Sequence, residues 1–438
     1  MTRGLVIAAP ASGSGKTALT LALLALLKRR GVAVSSAKVG PDYIDPAFHQ
    51  AATRRPCFNL DSWSMRPATL RGLLAQAARD AELLLIEGVM GLFDGAELGP
   101  GGGTGSSADL AALFDLPVVL VMNVKGQGAT AGAVLEGLAR HRPGVRIAGV
   151  VFNQVGGAAH REILQQAARA LDIPVLGFLP RLSALNMPER HLGLRQAWEI
   201  ADLAGFLGRA ADAIAPHIDD ARLLQLAGLV QASGGDGTPG LPPLGQRIAV
   251  ARDVAFSFAY PAQLESWRHA GAELAFFSPL EDQTPDDTAD AVFLPGGYPE
   301  LHAGRLAANA RYQNGLRAAA QRGAVIYGEC GGYMALGEML TDAEGAVHRM
   351  AGLLRIATSF AEPRLHLGYR RAWLTEAGPL GDKGAAYAGH EFHYATVERE
   401  AGDQPLFRAR DARDAELPPS GRRAGLVMGS FLHLIDRA

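Results

Sequence analysis

Short unbroken apolar runs recur along the first half of the chain, at residues 4–9, 32–35, 83–86, 118–122, 147–152 and 175–179. Between several of them the spacing changes to that of a helix, as over residues 18–28, where Gly31 follows in the position after the C-cap. Continuous rather than alternating apolar runs mark strands buried on both faces, and strands separated by helices predict right-handed parallel crossovers. This half is therefore expected to be a doubly wound α/β unit. The same pattern returns at residues 248–251, 274–277, 291–294 and 324–327, which predicts a second α/β unit built on similar logic.

The two patterns are separated by Gln-Ala-Ser-Gly-Gly-Asp-Gly-Thr-Pro-Gly-Leu-Pro-Pro at 231–243, too rich in Gly and Pro to sustain a helix or a central strand. The predicted organisation is a unit at 1–230, a linker at 231–245 and a second unit at 246–438. No internal repeat is evident, and low complexity is confined to this linker and the glycine-rich loop at 99–107.

In a doubly wound sheet ligands gather at the carboxyl ends of the strands, so the residues just after each run carry the chemistry. The first run opens onto Pro10-Ala11-Ser12-Gly13-Ser14-Gly15-Lys16-Thr17, a phosphate loop with Pro10 in place of its usual first glycine. Small residues let the backbone N–H groups of Gly13, Ser14 and Gly15 close around phosphate, Lys16 reaches the outer phosphates, and Thr17 offers a hydroxyl to Mg²⁺. ATP is the expected nucleotide. Glu87, at the tip of the third run, is expected as the second Mg²⁺ contact. Lys38, Asp42 and Asp45 follow the second run and supply charge to the same rim. Asn153 ends the fifth run and is a candidate adenine reader, because a carboxamide presents a donor and an acceptor together.

In the second unit Gly328-Glu329-Cys330-Gly331-Gly332 follows an apolar run, in the form of a nucleophile elbow with Cys in place of Ser. The glycines permit a tight turn, and the helix expected to start near Tyr333 would aim its N-terminus at the thiol and lower its pKa. Leu294-Pro295-Gly296-Gly297-Tyr298 is placed to supply oxyanion-binding N–H groups. The base could be His390, His393 or His433.

Composition narrows the classes. Lys and Arg number 42 against 44 Asp and Glu, a net charge of −2, so no basic excess recommends a nucleic acid or an acidic membrane as partner. The tightest apolar cluster, 21–27, stops at Lys28-Arg29-Arg30, well short of the roughly 20 residues of a membrane span. Only Cys57 and Cys330 occur, which leaves no disulfide framework to read, and a cytoplasmic location is expected.

Four segments taken together carry a family resemblance: the phosphate loop, Lys38-Val39-Gly40-Pro41-Asp42-Tyr43-Ile44-Asp45-Pro46, Pro188-Glu189-Arg190-His191-Leu192-Gly193-Leu194, and Gly389-His390-Glu391-Phe392-His393-Tyr394. The first unit resembles the dethiobiotin synthetase type of P-loop fold, and the second a class I glutamine amidotransferase. The whole chain resembles the cobyrinic acid a,c-diamide synthase family, in its aerobic, hydrogenobyrinic acid branch.

That resemblance implies an ATP- and Mg²⁺-dependent amidation of the a and c acetates of a corrinoid, with glutamine as nitrogen donor. It implies Cys330 as nucleophile, His433 as proton shuttle, N–H groups near Gly297 and Gly331 as the oxyanion site, and Lys16, Thr17, Lys38, Asp42, Tyr43, Asp45 and Glu87 on ATP, metal or substrate. Many class I amidotransferases carry a Glu two residues after the histidine. Here that residue is Ile435, with Asp436 one further on as a candidate. His390 and His393 stand equally well as binders of substrate propionates or as supports of their own loop. Other readings are another tetrapyrrole or polycarboxylate amidase such as cobyric acid synthase, or, in a different class, a P-loop ATPase switch. The oligomeric state stays open, with a homodimer entertained.

Overall fold

The computed structural model describes residues 1–187, 189, 190, 193, 194, 196–231, 238 and 240–438, with backbone only at 189, 190, 193 and 194. Pro188, His191 and Leu192 of the third family segment, and residues 232–237 and 239 of the predicted linker, lie outside the described residues. The chain divides into two compact units: one formed by 1–63 and 67–237, the other by 64–66 and 238–438.

The first unit is a sheet in the order β3-β2-β4-β1-β5-β6-β7, with β1 Arg3–Ala8, β2 Val34–Val39, β3 Phe58–Leu60, β4 Leu83–Glu87, β5 Val118–Asn123, β6 Ile147–Asn153 and β7 Val175–Leu179. Every pairing along that path is parallel, as the unbroken apolar runs require, and only Gly228–Leu229 adds an antiparallel pair to β1. β1 feeds helix α1, Lys16–Arg29, whose Leu19, Leu23, Leu24, Leu26 and Leu27 pack into the core. Gly31, at φ 83°, takes the left-handed turn after its C-cap. β3 was not expected: its three residues, Phe-Asn-Leu, are too short to register as an apolar run.

The second unit holds a mixed sheet. Glu273–Phe277, Arg247–Ala251, Ala291–Leu294, Val325–Glu329 and Val427–Ser430 lie side by side in parallel. Antiparallel strands Glu416–Ala424, Gln404–Asp411, His366–Leu374, Ala386–His393 and Leu432–Arg437 continue it. Four of these five parallel strands match the expected runs, and Val427–Ser430 was not expected. The antiparallel half has no such signature, because His366–Leu374, Gln404–Asp411 and Glu416–Ala424 are only partly buried and carry Arg and polar residues, as in His-Leu-Gly-Tyr-Arg-Arg-Ala-Trp-Leu. Two leucines of the predicted linker, Leu241 and Leu244, are buried in this unit beside Trp267 and Phe293. Among the described residues, no helix is long and apolar enough to cross a membrane.

Candidate active sites

In the first unit the carboxyl ends of β1, β2, β4 and β6 converge on a cleft of about 820 Å³ lined by the phosphate loop, Lys38, Asp42, Asp45, Asn153 and residues beyond β7. Gly13 and Gly15 take φ 76° and 90°, conformations that cost a side-chain-bearing residue energy. Lys16 is 8% exposed and donates from Nζ to the Met90 carbonyl at 2.8 Å. Burial, reinforced by the charge of Lys38, pulls its pKa down to about 8.

Beneath this loop lies a buried ionic cluster. Lys38 Nζ sits 2.6 Å from Asp45 Oδ2 and 2.9 Å from Glu87 Oε1, while the Thr17 hydroxyl donates to Glu87 Oε1 at 2.5 Å. His49 Nε2 approaches Glu87 Oε2 at 2.6 Å, so both oxygens of this fully buried carboxylate are engaged. Burial opposes the charge on Glu87, yet Lys38 and His49 hold it well below the usual carboxylate range. Burial and the neighbouring Asp42 push Asp45 up to about 7. Burial likewise opposes charge on His49, but Cys57 and Glu87 beside it raise its pKa to about 10.

The structure brings Lys16, Thr17, Lys38, Asp42 and Asp45 to one cleft, with Glu87 packed under it. Tyr43 is half-buried and does not line that cleft. The Asn153 carboxamide donates to Ser14 O at 3.0 Å and accepts from the Gln154 N–H at 2.9 Å, which makes it a clamp on the phosphate loop. His49 was absent from the sequence expectations. Its signal was the i, i+4 spacing from Asp45, which puts both on one face of α2, Asp45–Thr53.

In the second unit Cys330 joins the strand Val325–Glu329 to the short helix Gly331–Leu336 at φ 48°, ψ −105°, a strained conformation for a residue with a Cβ. The elbow closes because the glycines allow it: a Cβ on Gly332 would stand 1.9 Å from the Leu294 carbonyl, and one on Gly331 would lie 3.0 Å from the Gly297 nitrogen. The backbones of the two loops are thereby packed against each other. Gly296 lies against both Cys330 and His433, since a Cβ there would be 2.6 Å from His433 Cε1 and 3.3 Å from Cys330 Cβ. Gly296→Ala is therefore expected to push His433 aside and cut glutamine hydrolysis roughly 100-fold, while ammonia-driven amidation continues. Parallel rate assays with the two nitrogen sources check this.

One expectation about the thiol is overturned. Burial, with the nearby Glu300 carboxylate, raises the Cys330 pKa, and a six-residue helix is too short to reverse that. The resting thiol is protonated and needs a base. Burial, with His393 adding to it, pulls His433 down to about 3, so its imidazole is neutral.

Asp436 does not orient His433. Its carboxylate accepts from Arg66 Nε at 3.1 Å and from the Gly240 N–H at 2.7 Å. The carboxylate near His433 is Glu329, whose Oε2 lies 3.7 Å from Nδ1. His390 packs against the His433 ring at 5.0 Å, and His393 is stacked between Phe431 and His366 with Nε2 3.0 Å from Glu391 Oε1.

Residues 5–194 match the family description "CobQ/CobB/MinD/ParA nucleotide binding domain", and 247–437 match "CobB/CobQ-like glutamine amidotransferase domain". Hydrogenobyrinate a,c-diamide synthases align along the whole chain. That of Brucella anthropi is 53% identical over 99% of this chain and 98% of its own. The Rhodobacter capsulatus protein is 53% identical over 99% and 98%, and the Mesorhizobium japonicum protein 50% identical over 100% and 99%. With the two domain matches in the same order as the two sites, these alignments assign the chain to the hydrogenobyrinate a,c-diamide synthase family.

Proposed function

We propose that the protein amidates the a and c acetate carboxylates of hydrogenobyrinic acid, using glutamine as nitrogen source and one ATP per amide, in cobalamin biosynthesis. The observation that carries this reading is the 50–53% identity over almost the full chain to synthases of that name. The two sets of side chains support it, because each suits one half of the reaction.

His433 takes the Cys330 proton, and the thiolate attacks the side-chain amide carbon of glutamine. N–H groups near Gly297 and Gly331 carry the oxyanion charge. As the tetrahedral adduct collapses, the C–N bond breaks and His433 returns the proton, releasing ammonia. Water, deprotonated by His433, then cleaves the glutamyl thioester to glutamate and free thiol.

In the nucleotide site a substrate carboxylate oxygen attacks the γ-phosphorus, forming an acyl phosphate and ADP. Ammonia displaces phosphate to leave the amide. Activation is needed because hydroxide leaves a carboxylic acid poorly, whereas phosphate leaves readily. Lys16 and the loop N–H groups hold the phosphates, and Lys38 holds Asp45 and Glu87 in place. The hydroxyl of Thr17 and the carboxylate of Asp45 are hard-oxygen donors at the cleft that would hold Mg²⁺, while Glu87, whose two oxygens are engaged by Thr17, Lys38 and His49, would contact the ion on giving up one of these partners. When bound, the ion neutralises charge on the β- and γ-phosphates. ATP and glutamine are both cytoplasmic metabolites, which supports a cytoplasmic location.

Purified protein given ATP, Mg²⁺, glutamine and either hydrogenobyrinic or cobyrinic acid is expected to convert the cobalt-free acceptor preferentially. Each amidation exchanges OH for NH₂, so mass spectrometry should show two successive losses of about one mass unit. Unchanged acceptors alongside continued glutamine hydrolysis would refute the corrinoid substrate.

A further inference from the structure

We propose that Glu329, the residue immediately before the nucleophile, is the positioning acid that sets the tautomer of His433 and so decides when Cys330 can be deprotonated. This rests on the glutaminase roles given above to Cys330 and His433, and goes beyond them by naming the third member of the site.

Geometry comes first. Glu329 ends the strand Val325–Glu329, and His433 lies on Leu432–Arg437; Oε2 and Nδ1 are 3.7 Å apart, and both side chains are 1% exposed. The other oxygen, Oε1, is fixed by the Tyr327 hydroxyl at 3.1 Å and the Leu434 N–H at 3.3 Å. With Oε1 anchored, Oε2 is left facing the imidazole. The usual place for an orienting acid holds the buried Ile435, and Asp436 is committed to Arg66 and Gly240.

On closing from 3.7 Å to hydrogen-bond distance, an ionised Glu329 accepts Nδ1–H, which leaves the Nε2 lone pair as a base for the thiol. A protonated Glu329 instead donates to Nδ1, which puts the imidazole proton on Nε2 and removes the base. Burial, opposed by the Leu434 N–H and the Tyr327 hydroxyl, pushes Glu329 up to about 8. Competent sites therefore increase as pH rises through that value.

The surrounding groups do not mimic this. On Glu329's own strand Tyr327 is held well above its ordinary range by burial and by Glu329 itself. From the strand Ala386–His393, His390 is kept neutral by burial, next to His433. Glu391 resists burial through His393 and Arg370, which hold it at about 2. Glu300 adds a charge facing Cys330 rather than His433.

The test is glutamine hydrolysis and ammonia-driven amidation by the full chain carrying Glu329→Gln, Glu329→Ala or Glu329→Asp, with glutaminase profiles from pH 6 to 9.5. Gln keeps the shape of Glu but can only donate to Nδ1, which locks the wrong tautomer. Glu329→Gln is expected to lose about 10³-fold in kcat with KM little changed, and to be worse than Glu329→Ala. The rising limb near pH 8 should vanish in both and partly return in Glu329→Asp. Amidation from ammonia should stay within a few-fold of wild type in each, which also reports that the chain is folded. If Gln is the milder substitution, as a packing role demands, or if the limb survives in it, the proposal is wrong. Cys330→Ala run in parallel separates this from failure of the underlying reading: glutaminase surviving there would remove the nucleophile itself, whatever Glu329 does.

Discussion

Cys330→Ala is expected to abolish glutamine-driven amidation, by about 10⁴-fold or more, and to leave ammonia-driven amidation intact. The asymmetry follows from the order of the chemistry. The thiolate is needed only to release ammonia, so supplying ammonia directly at alkaline pH bypasses the missing sulfur. Little structural cost accompanies the substitution. Alanine keeps the Cβ at φ 48°, so the elbow carries the same strain as before. The deleted Sγ makes a weak contact to the Phe392 carbonyl at 3.7 Å and accepts from the Gly331 N–H. Side-by-side product formation with the two nitrogen sources, together with a thermal melt, reads the outcome. Glutamine-driven turnover persisting near wild type would assign ammonia release to another group.

Most of the candidate site residues were legible because they stand at strand ends. The phosphate loop, Lys38, Glu87 and Cys330 all directly follow or end apolar runs, and in a parallel sheet those positions gather on one edge. What escaped the sequence is of two kinds. The antiparallel half of the second sheet gives no unbroken apolar run, since strands only partly buried on either face can carry Arg370, Arg371, Arg422 and Arg423. Pairings across the fold escaped as well. Nothing local says that Asp436 is taken by Arg66, 370 positions earlier, or that Glu329 instead of a residue after His433 faces the imidazole. The thiol's acidity was misread for a related reason: a helix N-terminus is visible in sequence, whereas the depth of burial that overrides it is not.

Lys16→Ala is expected to lose amidation from either nitrogen source, by roughly 10² to 10³-fold, while the second unit still hydrolyses glutamine. Lys16 donates to the Met90 carbonyl at 2.8 Å, a contact that phosphate oxygens can replace. The lysine is poised electrostatically as well. Burial and Lys38 bring its pKa down to about 8, with Glu87, Asp45 and Asp42 pulling the other way. Phosphate beside Nζ raises that value again, so nucleotide binding takes up a proton whenever the free enzyme has lost it. ATP should therefore bind with full strength below pH 8 and more weakly as pH rises through it. In wild type the ATP KM is expected to climb across that window, and in Lys16→Ala the climb should disappear along with the rate. Steady-state kinetics over pH 6.5 to 9.5, with ammonia at saturation so that glutaminase does not limit, measure both effects together. Near-normal amidation in the variant would remove Lys16 from the outer phosphates, whereas a rate lost with the pH dependence intact would mean that some other group carries the linked proton.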